Sequence, residues 1–357
     1  FAWRMQGEAP RALVLASLLR EGQTPDAIRA VFGGNGYGPP PLNESELQAL
    51  DSAPQGEPPL HAQGEYPRWL EPELERAFGD RLLEEIRALQ SRAPIDLRVN
   101  KRKATSGDVL NQLRAEGYDT CATRYSPFAI RIPAGATGLE KTKLFASGAF
   151  ELQDEASQVA ALLVDAKSGM RVLDLAAGAG GKALAIAAQM QNHGEIVATD
   201  IDAGRLRQLS MRAERAGVTI IHPRPPEADL FDRVLVDAPC SGTGTWRRQP
   251  ELRWRLTPER LEALKKTQNR LLEDAAPYVK PGGRLIYVTC SLLPCENEDQ
   301  IAAFLDRHPD FAIKLAREVW DESVGTEPPP GLDQFFRATP LTTGTDGFFT
   351  AILQRAG

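Results

Sequence analysis

Cysteine is scarce in this chain of 357 residues: Cys121, Cys240, Cys290 and Cys295 are all there are. Four thiols scattered over such a length cannot form a disulfide framework, and the usage fits a reducing compartment, the cytoplasm. Histidine is equally rare. His61, His193, His222 and His308 lie far apart, and the one close cysteine pair, Cys290 and Cys295, has four residues between its members. No zinc-ligand spacing results, so no metal is expected. No apolar run approaches the ~18 residues needed to cross a bilayer, which excludes a membrane-spanning class. The opening "FAWRMQGEAPRALVLASLL" has neither the basic start nor the small-residue cleavage site of a signal peptide. It also lacks an initiator methionine, so an upstream segment is expected to be missing. Basic excess is absent too. The net charge is −6 and the pI about 5.5, the wrong overall sign for a protein living on nucleic acid, so only local patches could override the balance.

What is present is ordinary globular material, 42% hydrophobic and 25% charged. The length predicts two or three domains, since single cores stop growing near ~250–300 residues. Residues 1–32 read as helical, with Leu13, Leu15, Leu18, Leu19, Ile28 and Val31 as apolar positions. Gly and Pro make loops of 33–41 and 54–59. A second helical stretch spans 70–90, where Leu74, Phe78, Leu82, Ile86 and Leu89 recur at helical spacing. Residues 1–91 are therefore expected to form a helical, incomplete N-terminal part. Over 92–150 the pattern becomes a small α/β unit: strand "PIDLRVN", a helix capped by Ser106, then strands "PFAIRIP" and "GAFELQ".

From 151 to 357 strands and helices alternate strictly. Strands are expected at 170–176, 195–200, 218–221, 233–238, 284–290, 311–315 and 347–354, and helices at 154–165, 182–191, 203–216, 257–278 and 295–307. Asp202 is the expected cap of the helix at 203–216. Nearly all-apolar strands alternating with helices predict a doubly wound, mostly parallel sheet, covered on both faces. Ligands in such sheets bind at the carboxyl ends of the strands, near the switch point in strand order.

At the first of those ends stands "LDLAAGAGGKA" (173–183). Gly178, Gly180 and Gly181 let backbone approach a ligand closely. The bland reading is a tight strand-to-helix turn. Gly178-x-Gly180-x-x-Ala183, with Asp200 further on, also fits a relaxed dinucleotide pattern and an NAD oxidoreductase. Asp174 argues otherwise, because a pyrophosphate there would meet a carboxylate. An acid at that point suits a phosphate-free cofactor with a cationic amino-acid end, such as S-adenosylmethionine, with Asp200 accepting ribose hydroxyls. A P-loop is excluded, since Ala follows Lys182.

Two further strand ends carry Asp237-Ala-Pro-Cys240 and Thr289-Cys290-Ser291. Neighbouring strands lie ~4.8 Å apart, so both thiols could face one cleft. Buried cysteines also serve as small hydrophobes. A methyl donor beside a thiol suits cytosine C5 chemistry. Addition of a thiolate to C6 makes C5 nucleophilic, an acid near N3 neutralises the ring, and a second group helps release the product. Lys182 is the candidate cation. Cys121 and Cys295 read as structural.

The motifs "DAPCSGTG", "VTCSLLPCENEDQI" and "DLAAGAGGK", with "DGFF" at 346–349, resemble the RNA cytosine-C5 methyltransferases of the Sun/nucleolar-protein type, over roughly 92–357. The resemblance implies a Rossmann-like S-adenosylmethionine-dependent domain. It implies Cys290 as nucleophile and Cys240 assisting product release, with Asp237 beside the base. It places cofactor contacts at Ala176, Ala177, Gly178, Ala179, Gly180, Gly181, Lys182, Asp200 and Asp237. DNA cytosine-C5 methyltransferases use a Pro-Cys cysteine as nucleophile, so the inverted assignment is the mechanistic alternative. The family usually has Cys or Ser near position 176 and Pro at 179, where this chain has Ala. It also has an acid after the strand at 218–221, where this chain runs into "HPRPPEAD". Small-subunit ribosomal RNA is the implied substrate, taken by a monomer. A catalytically idle RNA-binding protein on the same fold is the rival reading.

Two basic patches could carry the RNA. Arg98, Lys101, Arg102 and Lys103 cluster at a strand end. Residues 245–270 hold eight Lys/Arg against three Glu, including Arg247, Arg248, Arg253 and Arg255, interleaved with Trp246 and Trp254. Arginine with aromatics suits unpaired bases, though a solvated face has the same composition.

Overall fold

The computed structural model describes residues 2–5, 9–34, 37–52, 56–227 and 229–357. Residues 1 and 6–8 of the helical stretch at 1–32, and parts of the loops at 33–41 and 54–59, lie outside the described residues. Two compact units result, Phe1–Glu71 and Pro72–Gly357.

In the first unit the helices Pro10–Arg20, Pro25–Val31 and Glu44–Asp51 pack on Leu15, Ala16, Ile28, Phe32 and Leu50. Leu13 and Val31 instead face outward. The helix at Glu44 escaped the sequence reading. Its signal was local: Asn43 accepts the Glu46 N–H while the Glu46 carboxylate accepts the Asn43 N–H, a reciprocal capping box.

The second unit begins with helices Glu71–Phe78 and Leu82–Ala88, separated by a 3-10 turn over Gly79–Arg81 where one continuous helix was expected. Leu74, Leu82, Ile86 and Leu89 are buried. A small antiparallel sheet follows: β1 (Ile95–Val99), β2 (Cys121–Ala122), β3 (Ala129–Ile132) and β4 (Phe150–Leu152), in the order β2-β3-β1-β4. The helix Ser106–Ala115 covers it. Thr105, not Ser106, is the cap: its hydroxyl accepts the Asp108 N–H at 3.1 Å.

The large sheet contains β5 (Arg171–Asp174), β6 (Glu195–Ala198), β7 (Ile221–Pro223), β8 (Phe231–Asp237), β9 (Val279–Thr289), β10 (Phe311–Ile313), β11 (Phe336–Ala338) and β12 (Phe348–Arg355). Its order is β10-β12-β9-β8-β5-β6-β7, with β11 also on β12. The run from β7 to β9 is parallel, and β12 is antiparallel to β9. This is the expected mostly parallel α/β sheet. Side chains alternate along each strand, so both faces need cover. Val172, Ile196, Leu235 and Ile286 pack with the helices Glu155–Leu162 and Gly181–Gln189. Leu173, Val197, Val234, Val236 and Tyr287 pack with the helices Pro258–Ala275 and Glu298–Arg307. From β5 the chain winds outward through β6 to β7, then returns to β8 on the other flank. The switch point thus lies between the carboxyl ends of β5 and β8.

The small sheet is fastened to the helix Ala203–Ala216. Asn100 Nδ2 donates to the carbonyls of Gly148 and Ala216 at 3.0 and 2.9 Å. Gly148 has φ +75°, and a Cβ there would stand 2.1 Å from the Arg215 carbonyl oxygen. Strain and collision act together. Gly148→Ala is expected to lose about 2–4 kcal/mol of stability, read as a lowered midpoint in chemical denaturation. An unchanged midpoint would show that this junction yields without cost.

Candidate functional site

The loop after β5 is shaped by two glycines in the left-handed region, Gly178 at φ +56° and Gly180 at φ +82°. At Gly180 a Cβ would come 2.5 Å from Leu209 Cγ, so a close approach to the neighbouring helix also demands glycine. Asp200, just past β6, closes the loop. Its carboxylate accepts the N–H groups of Gly178 and Asp202, each at 2.8 Å. Asp202 caps the helix Ala203–Ala216 as expected, accepting from Gly204 and Arg205. Residues 176–182 thus form one half-buried cradle over the carboxyl end of β5.

Asp174 lies under that cradle, 1% exposed, and neither carboxylate oxygen has a hydrogen-bond partner of standard geometry. Burial first, and then the neighbouring Asp237, pushes its pKa up to about 8, against the opposing pull of Lys182. The free protein therefore holds this acid largely protonated at neutral pH. Lys182 opens the helix Gly181–Gln189 and reaches Asp237 at the end of β8, Nζ to Oδ2 2.7 Å. Its Nζ also lies 5.2 Å from the centre of the Phe348 ring.

The cysteines meet. Parallel pairing sets Asp237 opposite Val288, so the segments leaving β8 and β9 run side by side. Cys240 and Cys290 end with their sulfurs 3.4 Å apart, both half-buried. The Cys240 thiol is pushed well above its ordinary range, chiefly by the contact with Cys290, next by burial, with a further push from Glu296. Cys295 is buried on the far side of this loop, where its N–H donates to Glu73 at 3.2 Å. Cys121 is exposed on β2 and takes no place in the core.

The sequence did not reveal what fixes the two cysteine loops. Glu296, 0% exposed, accepts from the Ser241 N–H, the hydroxyls of Ser241 and Ser291, and Gln268 Nε2. The only sequence signal was an acid shortly after the second cysteine. The acid sought after the strand at 218–221 has no counterpart in Asp229, which pairs with Arg171 at 3.0 Å near the amino ends of the strands. Glu227 is 82% exposed.

The basic patches divide. Arg98 is 6% exposed in β1, opposite Glu151, and burial lowers its pKa to about 10. Arg247 is buried, its Nε 2.6 Å from Asp346 and its Nη2 3.5 Å from Asp154. Arg253 is 3% exposed, with its guanidinium 5.2 Å from the ring centre of the fully buried Trp246. These three arginines do not present charge at the surface: Arg247 meets internal acids and Arg253 a buried ring, while Arg98 is buried with its Nε unpartnered. Lys101, Arg102, Lys103, Trp254 and Arg255 are exposed, and so is Arg248, although its guanidinium is bound to Asp346 and Asp154. Lys103 Nζ additionally donates to the carbonyls of Ser147 and Arg215, each at 2.6 Å. Among the described residues, no group of three or more His, Cys, Asp and Glu is placed to hold a metal ion, and no helix is long and apolar enough to cross a membrane.

Comparison with known proteins bears on this geometry. The family model described as 16S rRNA methyltransferase RsmB/F matches residues 161–354, and the ferredoxin-like domain of RsmF/B-like methyltransferases matches 66–137. The chain is 35% identical over 309 residues to the probable ribosomal RNA small subunit methyltransferase B of Bacillus subtilis, covering 84% of this chain and 68% of that protein. It is 33% identical over 322 residues to the protein of the same name from Synechocystis, covering 87% and 72%. The chain thus spans about two thirds of the length of such relatives. Among solved structures, a methyltransferase homologue from Pyrococcus horikoshii superposes with TM-score 0.70 at 27% identity, over 83% of this chain and 97% of that one. NSun6 from the same organism, solved with SFG, gives TM-score 0.72 at 21% identity, over 82% and 98%, a likeness of fold alone.

Asp174 generates a pH test. Its folded pKa, about 8, lies above the ~3.9 of an unfolded aspartate, so between those values the folded state binds more protons. Its contribution is full below the lower value and is lost as pH rises through the higher one. Asp174→Asn should therefore flatten the fall in stability of the free protein between those pH values, by at most ~1.4 kcal/mol per pH unit. Denaturation midpoints of both proteins across that range check it; parallel profiles would refute the assignment.

Proposed function

The chain belongs to the RsmB/F family of 16S rRNA methyltransferases, whose cofactor is S-adenosylmethionine, and from that premise we propose that it methylates C5 of a cytosine in small-subunit ribosomal RNA. The observation that carries the reading is the pair of thiols 3.4 Å apart beside the cradle. The cofactor fits that cradle on two counts. Asp174 is a buried acid whose oxygens have no standard hydrogen-bond partner, and a cationic amino group bound there would draw it into its ionised form. The left-handed glycines bring backbone, not side chain, to the ligand. Asp200 is the ribose acceptor, and residues 176–182 with Asp237 complete the holding set. Bound there, the cofactor supplies an electrophilic methyl group. The dinucleotide alternative loses its support, since the family's cofactor is S-adenosylmethionine and a buried acid beneath the cradle disfavours a pyrophosphate.

The protein's own part is to make C5 nucleophilic. Cys290, as thiolate, adds to C6: a C–S bond forms and the C5–C6 double-bond pair moves toward C5. N3 takes up a proton passed from the Lys182 ammonium through Asp237, and returns it by the same path at the end. C5 takes the methyl group. The C5 proton then leaves, the C–S bond breaks, the double bond returns, and N3 gives back its proton. The environment of Cys240 supports the division of labour. Contact with Cys290 is the largest influence keeping Cys240 a thiol. Once Cys290 is bonded to carbon it carries no charge and that influence ends, so Cys240 can lose its own proton to water and, as thiolate, take up the C5 proton.

Lys101, Arg102, Trp254 and Arg255 are the exposed groups that would meet RNA phosphates and unpaired bases. The target base must leave its stack to reach Cys290. The site of action is the cytoplasm, where such RNA is assembled.

Two outcomes test this reading. Cys290→Ala should abolish methylation of in vitro transcribed rRNA and form no covalent adduct. Cys240→Ala should accumulate a stable protein–RNA adduct on denaturing gels. Adduct with the first variant and none with the second would instead assign the roles the other way round. Separately, Lys101→Glu and Arg255→Glu should weaken RNA binding across sequences, each lowering the slope of log affinity against log salt by about 1. Arg247→Ala should act on thermal stability instead, because its guanidinium is spent on internal acids.

A further inference from the structure

Each catalytic cysteine is followed by a serine, and both serines are bound to one buried acid. Glu296 sits in the 3-10 turn Pro294–Glu296, after β9. Its Oε1 accepts the Ser241 N–H at 2.8 Å and Gln268 Nε2 at 2.9 Å. Its Oε2 accepts the hydroxyls of both Ser241 and Ser291. The two hydroxyls are themselves 3.2 Å apart, and Thr243 Oγ1 lies 3.2 Å from Ser291 Oγ. Thr243 also accepts the Leu292 N–H at 2.8 Å, and Gly244 donates to the Cys290 carbonyl at 2.9 Å. Gln268 extends the tie to the helix Pro258–Ala275, donating to the Pro239 carbonyl at 2.9 Å.

We propose that Glu296 is a positioning residue of the methyl-transfer reaction: its carboxylate clamps the Pro-Cys and Thr-Cys loops together and so sets the distance and orientation of the Cys240 and Cys290 sulfurs. This rests on the cysteine chemistry proposed above. The pairing of β8 with β9 ends at Asp237 and Val288, apart from the Ala238 N–H that donates to the Val288 carbonyl at 2.9 Å, so the strands alone do not hold residues 240 and 290 in register. The clamp takes over where the sheet stops. Its fully buried location makes it stiff, because a carboxylate that lost these donors would face a dry interior. The clamp also acts by charge. Behind the contact with Cys290 and burial, Glu296 also opposes ionisation of Cys240.

The test uses the full chain. Glu296→Gln keeps the shape and removes the charge. Its kcat for rRNA methylation should fall on the order of 10²-fold, the cost of a small misplacement of reacting groups, with KM for RNA and cofactor within about twofold. A second readout needs no RNA. In a Cys290→Ala background, the pH profile for alkylation of Cys240 by iodoacetamide should move to lower pH when Glu296→Gln is added, which a merely structural residue would not cause. Should Glu296→Gln fail to fold, Ser291→Ala removes one arm of the clamp and should lower kcat, with KM unchanged. Unchanged kcat in the folded Glu296 variant, together with an unmoved alkylation profile, would overturn the proposal. If Cys290→Ala retained full activity, the cysteine mechanism would fall instead, while the alkylation result would still report on the clamp.

Discussion

The parallel pairing of β8 with β9 is the constraint on which the site depends. Strands β8 and β9 are hydrogen-bonded neighbours, with Asp237 level with Val288. Any two residues just beyond those points must emerge beside each other, and a one-residue slip would send every side chain to the opposite face. The apolar faces forbid that slip: Val234 and Val236 belong to one core, Leu235 to the other. Hydrophobic burial on both sides of the sheet thereby fixes where the two cysteine loops leave it. The chemistry inherits its precision from packing.

Around that frame the protein keeps carboxylates where water is scarce. Asp174, Glu296 and Asp154 are all deeply placed, and each serves a different end. Asp174 has no partner and is held as an acid, which leaves it poised for a cation. Glu296 is saturated with neutral donors and fastens loops. Asp154 caps the helix Glu155–Leu162 and faces Arg247 and Arg248 together with Asp346; burial first and Asp346 second raise its pKa to about 6. Burying a charge without compensation is costly, so the geometry around each of these groups is the guide to its role.

The same reasoning explains the basic segment after Cys240. Its arginines alternate between internal and external duties: Arg247 and Arg253 turn inward to an acid and an indole, while Trp254 and Arg255 face water. An arginine within reach of a buried acid forms a stronger, less screened pair than one at the surface, so the internal positions are filled first. What remains exposed is a narrower basic surface than composition suggested, and the overall acidity of the chain makes its placement matter more.

By itself the sequence determined the alternating α/β architecture, the glycine turn after β5, the acids at the ends of β5, β6 and β8, and the two cysteines at neighbouring strand ends. Those are local signals: apolar period, turn residues and motif order all survive in one dimension. Strand ends were less legible, because pairing partners set them; β9 begins at Val279, well before the expected 284, and β7 starts only at Ile221. The tertiary structure alone decided that Glu296 joins the loops, that Asp174 lacks a partner, and that Arg98, Arg247 and Arg253 are internal. Each of those facts depends on which parts of the chain pack around a given side chain, and neither charge nor spacing along a sequence encodes which of several possible neighbours it will meet.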